Sequence, residues 1–429
     1  MKPMMTVADF CLRGFLPRCA CLLACLIWLV AAMAPAEAQS RANTQELLRQ
    51  WLQNDLWPEA RAAGVSASTF NTVFQTVSIE WELPDLVPPG APKPRERRQS
   101  QAEFRSPGAY FAEQRLRSLA ATGRQLAARH ADLLGRIEAR FGVPGSIVIA
   151  IWGRESGFGG ARIPHSAFNV LTTKAFMSTR PALFRGELIA ALLMVERDGF
   201  APGDLKSSWA GALGQPQFLP SSYLDHAVDF DGDGRRDIWR SVPDTLASIA
   251  NYLADSGWQK GRDWGFEISL PPDVVCAQEG PDRARSIIAW ERQGITRISG
   301  RPFPAHERRQ DGMLLVPAGR NGPAFVVTPN FYVLKAYNNS DLYALFVGNL
   351  ADRIAFGVGP FKTAWGRTDA MLRSDIARAQ RTLEALGHDV GGADGLPGFK
   401  TRRSIGAWQT ANGLTETCFP DRDLLQRLR

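Results

Sequence analysis

The stretch Ile147-Val-Ile-Ala-Ile-Trp-Gly-Arg-Glu-Ser-Gly-Phe-Gly-Gly160 constrains this chain most. It is an apolar helix pattern that runs into a glycine-rich stop, with one carboxylate, Glu155, in its last turn. Pro144 suits the first helical position. Ile147, Ile151 and Glu155 then fall at i, i+4 and i+8, on one helix face. Apolar flanks and the negative end of a helix dipole both disfavour the carboxylate anion, so the pKa of Glu155 should rise. A general acid working near neutral pH needs that shift. The plainer alternative is a surface glutamate in a last helical turn.

The first residues read as a targeting segment. Lys2, Arg13 and Arg18 are basic, Cys19 to Ala34 is almost wholly apolar, and Ala36-Glu37-Ala38 is an A-x-A cleavage signal. Residues 1–38 are therefore predicted to be a signal peptide, with a mature start near Gln39. Leu22-Leu-Ala-Cys25 resembles a lipobox, but the apolar run continues past Cys25, so a lipid anchor is the less favoured reading. Cys11, Cys19, Cys21 and Cys25 leave with that segment. Cys276 and Cys418 remain, either as one disulfide tying distant parts of the chain or as two buried thiols. The formal net charge of +7 suits an anionic cell-envelope surface. No nucleic-acid motif accompanies it, and export argues against that partner. A length of 429 residues predicts two or three domains.

Helical patterns dominate. Asn43-Thr-Gln-Glu46 reads as a capping box opening a helix through Leu47, Leu48, Trp51 and Leu52. Ser66 to Val77, Tyr110 to Phe141, Gly186 to Asp198 and Pro243 to Ser256 read as further helices. Residues 84–98, rich in Pro and Arg, read as an extended connection. Residues 264–328 carry short apolar runs between glycine-rich turns, a small β element. Helical pattern returns at Phe331 to Tyr337 and Asp341 to Ile354, and Gly357 to Gly366 reads as a linker. The last 60 or so residues form a helix–glycine-rich turn–helix–tail helix unit with an apolar face through Ile376, Leu383, Ile405 and Trp408. The fold class expected is α+β, mainly helical.

Three further segments carry chemistry. Ser208-Trp-Ala-Gly-Ala-Leu-Gly-Gln-Pro-Gln-Phe-Leu-Pro-Ser-Ser-Tyr223 is dense in small residues, aromatics and amides. Its glycines let a ligand approach the backbone, and Ser208 and Gln217 could donate to sugar groups; the alternative is a tightly packed loop. In Asp229-Phe-Asp-Gly-Asp-Gly-Arg-Arg-Asp-Ile-Trp-Arg240, Asp229, Asp231 and Asp233 match positions 1, 3 and 5 of an EF-hand loop. Gly234 matches position 6, Arg235 the main-chain position 7 and Asp237 position 9. Position 12 should be a bidentate carboxylate and is Arg240, so weak calcium binding at most is expected, or a turn whose aspartates pair with arginines. Tyr337, Asn338 and Tyr343 surround the junction of two helices, where aromatic faces and an amide suit a sugar and where capping by Asn338 or Ser340 is the alternative. No HExxH or GxSxG motif occurs.

Together, WGRESGFG, FRGELIAAL, SWAGALGQPQFLPSSYLDHAVDFDGDGRRDIW, IANYLADSGW and FYVLKAYNNSDLYALFV resemble the lytic murein transglycosylases of the membrane-bound B type, glycoside hydrolase family 103. RAQRTLEALGHDVGGADGLPGFKTRRSIGAWQTANGL is similar to the peptidoglycan-binding-1 module. The resemblance implies a lysozyme-like catalytic region over residues 39–360, with a helical companion, and a three-helix peptidoglycan-binding module over 369–429. It carries the family's catalytic glutamate onto Glu155 and its substrate-side residues onto Ser208, Gln217, Tyr337, Asn338 and Tyr343. It carries the calcium loop onto Asp229, Asp231, Asp233, Arg235 and Asp237, with no cofactor required for the reaction. The implied partner is a peptidoglycan glycan strand, the place the periplasm of a Gram-negative bacterium, and the form a monomer. The implied reaction is non-hydrolytic cleavage of the MurNAc–GlcNAc bond to give 1,6-anhydro ends. A muramidase of the same fold and a non-catalytic peptidoglycan-binding protein are the rival readings.

Overall fold

The computed structural model describes residues 40–92, 107–366 and 371–428. The signal peptide, Cys25 and the 93–98 part of the Pro/Arg-rich connection lie outside the described residues. No helix among the described residues is long and apolar enough to cross a membrane. The chain divides into two units: one of residues up to Lys93 with Phe168–Pro202, the other of Pro94–Ala167 with Gly203–Arg429.

The first unit is helical. Its leading helix is already present at Ser40, the first described residue, upstream of the expected capping box, and Thr44 turns its hydroxyl back onto the Ser40 carbonyl at 2.9 Å. The helix passes through a π turn at Leu52–Leu56 into Trp57–Ala62. Ser66 caps Ala67–Phe74 and is itself held by Glu196 of the helix Pro181–Asp198, at 2.9 Å. Leu48, Leu56, Phe70, Leu171, Leu188 and Leu192 are buried.

The second unit is built around the predicted apolar helix, Gly145–Ser156. Ile147 to Trp152 are all buried, so this helix is apolar on every side and neighbours must cover all of it. Glu113–Arg129, Ala131–Phe141, Val242–Asp255, Pro329–Tyr337 and Asp341–Phe356 share its core. The long helix expected over 110–141 is two, because the backbone leaves helical geometry at His130 (φ −106°, ψ 24°). Gly348 lies where an added Cβ would stand 2.5 Å from the Trp264 ring, so no larger residue fits between that helix and the sheet.

The sheet is antiparallel. Its strands are β3 (Gly265–Ser269), β4 (Arg285–Ser286), β5 (Thr296–Arg297), β6 (Asp311–Leu315) and β8 (Ala324–Val327), in the order β4-β6-β8-β3-β5. A separate ladder pairs β1 (His165–Ser166) with β2 (Lys206–Ser207), and β7 is Pro317–Arg320. One sheet face packs on the helices through Met313, Leu315, Phe325 and Val327; the other buries Phe266, Leu314, Val326 and Trp290.

The C-terminal helices Arg373–Ala385, Phe399–Ala411 and Arg422–Arg427 enclose a small core of Ala379, Leu383, Val390, Ile405, Leu424 and Leu428. This module is also fastened to the rest of the second unit. Cys276 and Cys418 form a disulfide across 142 residues. Both cysteines lie in the second sheet-face core. The expected linker is packed as well: Glu267 accepts from the amides of Lys362 (2.8 Å) and Thr363 (2.7 Å), and Trp365 stacks on Phe111 at 5.0 Å.

Closing so long a loop should stabilise the folded chain by about 4–5 kcal/mol in the chain-entropy account. Replacing both cysteines with serine should therefore lower the urea midpoint clearly. An unchanged midpoint would mean that the surrounding contacts alone fix the module.

Candidate active site

Glu155 is placed by where its helix stops. Pro144 stands one residue before the helix, as its cap (φ −59°, ψ 136°), and Gly157 ends it in the left-handed region at φ 58°. The chain then turns back: the Phe158 amide donates to the Trp152 carbonyl (3.2 Å) and the Phe158 ring meets Trp152 edge-on at 5.6 Å. A Cβ on Gly153 would lie 2.6 Å from the Phe158 ring, so the glycine is what lets the stop fold over the helix.

The glutamate is half-buried, yet its Oε1 is sealed and has no hydrogen-bond partner. Burial drives its pKa up; the Tyr343 hydroxyl and the Arg154 guanidinium pull the other way and do not win. The Tyr343 hydroxyl is also buried and faces the glutamate, on which it acts as a donor. The two form a sealed acid–phenol pair that no other protein group completes. Among the described residues, no second carboxylate is among the groups that act on Glu155.

Tyr337 and Tyr343 stack nearly parallel (6.3 Å, 7°). Tyr337 also meets Tyr252 at 4.8 Å and Phe218 at 5.8 Å. Burial first, then the Glu155 charge, pushes both Tyr337 and Tyr343 well above the ordinary phenol range, so both remain neutral donors. Tyr337 donates to the Pro216 carbonyl at 2.7 Å, which brings the Ser208–Tyr223 loop to this aromatic group.

That loop is folded on itself. Gln217 takes φ 55°, a strained value for glutamine, and donates from Nε2 to the Gly214 carbonyl at 2.9 Å. The Ser208 hydroxyl accepts from the Ala212 amide at 3.3 Å. The structure thus brings Tyr337 and Tyr343 to Glu155 and joins Gln217 through its neighbour Pro216. It uses the Ser208 hydroxyl inside its own loop. Ser340, not Asn338, caps the next helix by accepting from the Tyr343 amide at 3.1 Å, and Asn338 is left exposed.

Three residues escaped the sequence reading. Gln215, buried, accepts from the Trp152 indole (2.8 Å) and donates to the Trp239 carbonyl (3.0 Å), pinning the loop to the glutamate helix. Arg154 lies over Tyr110, Phe346 and Tyr343 and donates to the Tyr110 hydroxyl at 2.6 Å. Both stand inside quoted motifs, but nothing in the motif says which way they point. The third is Asp244, fully buried. It gathers the amides of Phe230 (2.8 Å) and Asp237 (2.9 Å), and its carboxylate lies with those of Asp229 and Asp231 within 4.8 Å. Asp233 and Asp237 accept from the Arg235 and Trp239 amides (2.8 and 2.9 Å) and shape the loop. Asp244, on the following helix, thus brings to the loop a third carboxylate that the Arg240 position does not offer.

The family model described as Transglycosylase SLT domain matches residues 48–352, and a peptidoglycan binding domain model matches residues 373–428. The chain is 34% identical over 228 residues to Membrane-bound lytic murein transglycosylase B of Escherichia coli (strain K12), covering 53% of this chain and 61% of that protein. It therefore spans about three-fifths of that relative. Two structures of SltB3 from Pseudomonas aeruginosa each cover 89% of this chain and 99% of their own. The one with NAG-anhNAM-pentapeptide is 37% identical with a TM-score of 0.77; the one with NAG-NAM-pentapeptide is 38% identical with 0.78. The lytic transglycosylase Slt35 of Escherichia coli, in complex with calcium, is 30% identical over 58% of this chain and 79% of its own, with a TM-score of 0.50.

A raised carboxyl pKa has a sign in stability. Below the ordinary value of about 4.5, Glu155 is protonated in both folded and unfolded chains. As pH rises the unfolded chain ionises first, so the cost to the folded state grows until pH passes the folded pKa and stays in full above it. Glu155→Gln should match the parent chain at pH 4 and exceed it at pH 7.5 in urea unfolding. A variant less stable at pH 7.5 would show that Glu155 is not held out of water.

Proposed function

The chain belongs to the Transglycosylase SLT domain family, and on that premise we propose that it is a lytic murein transglycosylase acting on peptidoglycan through Glu155. The observation that carries this reading is the Glu155 carboxyl, with one oxygen sealed from water beside the Tyr343 hydroxyl and no second carboxylate acting on it among the described residues. Most glycosidases that use water or a covalent intermediate work with two carboxyl groups. One carboxyl suffices when the attacking hydroxyl belongs to the substrate.

Glu155, protonated by virtue of its burial, gives its proton to the oxygen between N-acetylmuramic acid and N-acetylglucosamine as the C1–O4 bond breaks. The sugar's own N-acetyl oxygen can support the electron-poor C1. Glu155, now an anion beside Arg154, takes the proton of the muramic C6 hydroxyl as its oxygen bonds to C1. The carboxyl ends as it began, no water is consumed, and the product is a 1,6-anhydro ring. Attack within one sugar gains from proximity. The neutral Tyr343 hydroxyl can donate to the glutamate once it is ionised. Trp209, half exposed on the Ser208 loop, offers a ring face to a sugar. On the family resemblance, Gln217, Asn338 and Ser208 would orient the strand. The leader fits export to the periplasm, where a basic chain meets an acidic polymer.

The Asp229–Asp244 loop fits a hard cation: its donors are all oxygens, and three carboxylates converge within 4.8 Å. We read it as a structural calcium site held by Asp229, Asp231 and Asp244, with Asp233, the Arg235 carbonyl and Asp237 around it. Its role would be to fix the loop that carries Trp239, against which Gln215 is pinned.

Glu155→Gln should abolish release of fragments from purified sacculi, by at least about 10²-fold, while sacculus binding persists. Mass spectrometry of the parent enzyme's digest should show anhydro ends, one water lighter than hydrolysis products. Hydrolysed ends would assign the muramidase reaction instead, and binding without release would assign a scaffold. For the loop, calorimetry should find calcium binding that Asp244→Asn abolishes; equal binding in the variant would remove Asp244 from the site.

A further inference from the structure

The ends of the turn that carries Tyr337, Asn338 and Tyr343 are packed, but its tip is not. Asn338 and Asn339 are exposed, and beneath them lies a cleft of about 480 Å³, lined on one side by Asn338 to Leu342 and on the other by Val390 to Arg402 of the C-terminal module. Across that cleft the turn is tied to the module by charge. Asp341 divides its two oxygens between Lys335 (2.9 Å), on the helix that ends at Tyr337, and Arg402 (3.0 Å), on the module's Phe399–Ala411 helix. Arg402 also forks onto Glu279 (2.6 and 2.9 Å) and donates to the Pro397 carbonyl at 2.8 Å. Glu279 in turn accepts from the Val316 amide at 2.9 Å. Arg402 and Glu279 are sealed from water and Asp341 is nearly so.

We propose that Arg402 and Asp341 form a strap by which the C-terminal module fixes the Tyr337–Tyr343 turn beside Glu155, making both positioning residues for glycan cleavage. The inference rests on Glu155 and Tyr343 being the reacting site. Lys335 and Asp341 flank the turn, so their pairing closes it, and Arg402 fastens the closed turn to Glu279 next to the sheet. Ser340, adjacent to Asp341, holds the Tyr343 amide. Movement of Asp341 therefore reaches Tyr343 through one hydrogen bond. Burial opposes ionisation of Asp341, but Arg402 and Lys335 overcome it and hold the carboxylate charged.

The test is kinetic, on the full chain with its disulfide intact and a short soluble glycan as substrate. Asp341→Asn leaves the Arg402–Glu279 pair and the Cys276–Cys418 bond in place. It should lower kcat at least about tenfold with KM and sacculus binding nearly unchanged, because the reacting groups are misplaced and not removed. Arg402→Lys, one head for two carboxylates, should do the same and serves if Asp341→Asn fails to fold. Asp282→Asn cuts a docking ion pair of the same module, to Arg403 at 2.7 Å, and leaves the bond of Arg403 to the Glu279 carbonyl in place. It should leave kcat within twofold. Unchanged kcat in both strap variants, or an equal fall in Asp282→Asn, overturns the proposal. Absence of anhydro product from the parent enzyme would instead defeat the underlying reading of the reaction.

Discussion

One oxygen, Glu155 Oε1, is held out of water without a partner, and the second unit is organised to keep it so. Leaving a buried acceptor unmet costs about 1–3 kcal/mol, more if it is charged. The cost is sustained because the helix beneath it is buried on every side and cannot shift to let water in. Strain gathers in the same place. Phe158 and Gln217 both hold positive φ, one at the end of the glutamate helix and the other in the loop reaching Tyr337. A surface helix with the same last turn would present an ordinary carboxylate and no proton to give.

Arg154 decides how far this can go. Burial alone would make Glu155 a reluctant base after it has given its proton. A guanidinium one residue away, lying on three aromatic faces, favours the anion by its charge without outweighing the burial that keeps the acid protonated. The carboxyl is raised in pKa but not stranded. That balance suits a residue that must act as acid and then as base on the same sugar.

The glutamate helix was legible because its signal is local: apolar periodicity, then glycines. The β element and the terminal helices were legible for the same reason. Tyr337 and Tyr343 could be assigned only through family resemblance, since their pairing with Glu155 joins residues far apart in sequence. Gln215, Arg154 and Tyr252 were silent, because a motif gives residue types and not directions. The EF-hand spacing led to Arg240 as the closing position, whereas the third carboxylate to converge there is Asp244, which the ensuing helix carries inward. The break at His130 has no glycine or proline to announce it. The Gly357–Gly366 segment has linker composition yet is held by Glu267 and Phe111, contacts that composition cannot foresee.

The fastening of the C-terminal module changes what such a module does. On a flexible tether it would raise the enzyme's local concentration at the wall, with each half searching independently. Here a disulfide and a buried ion-pair network fix it against the sheet and the tyrosine turn. Buried ion pairs stabilise poorly against apolar packing, because two charges must leave water. Their geometry is demanding, however: Arg402 satisfies Glu279, Asp341 and Pro397 only in one docking register. An apolar interface of the same area would tolerate sliding; a forked guanidinium between two carboxylates does not. A strand bound by the module then meets Glu155 at a set distance. The gain in cleavage depends on that distance matching the polymer, not on the length of a linker.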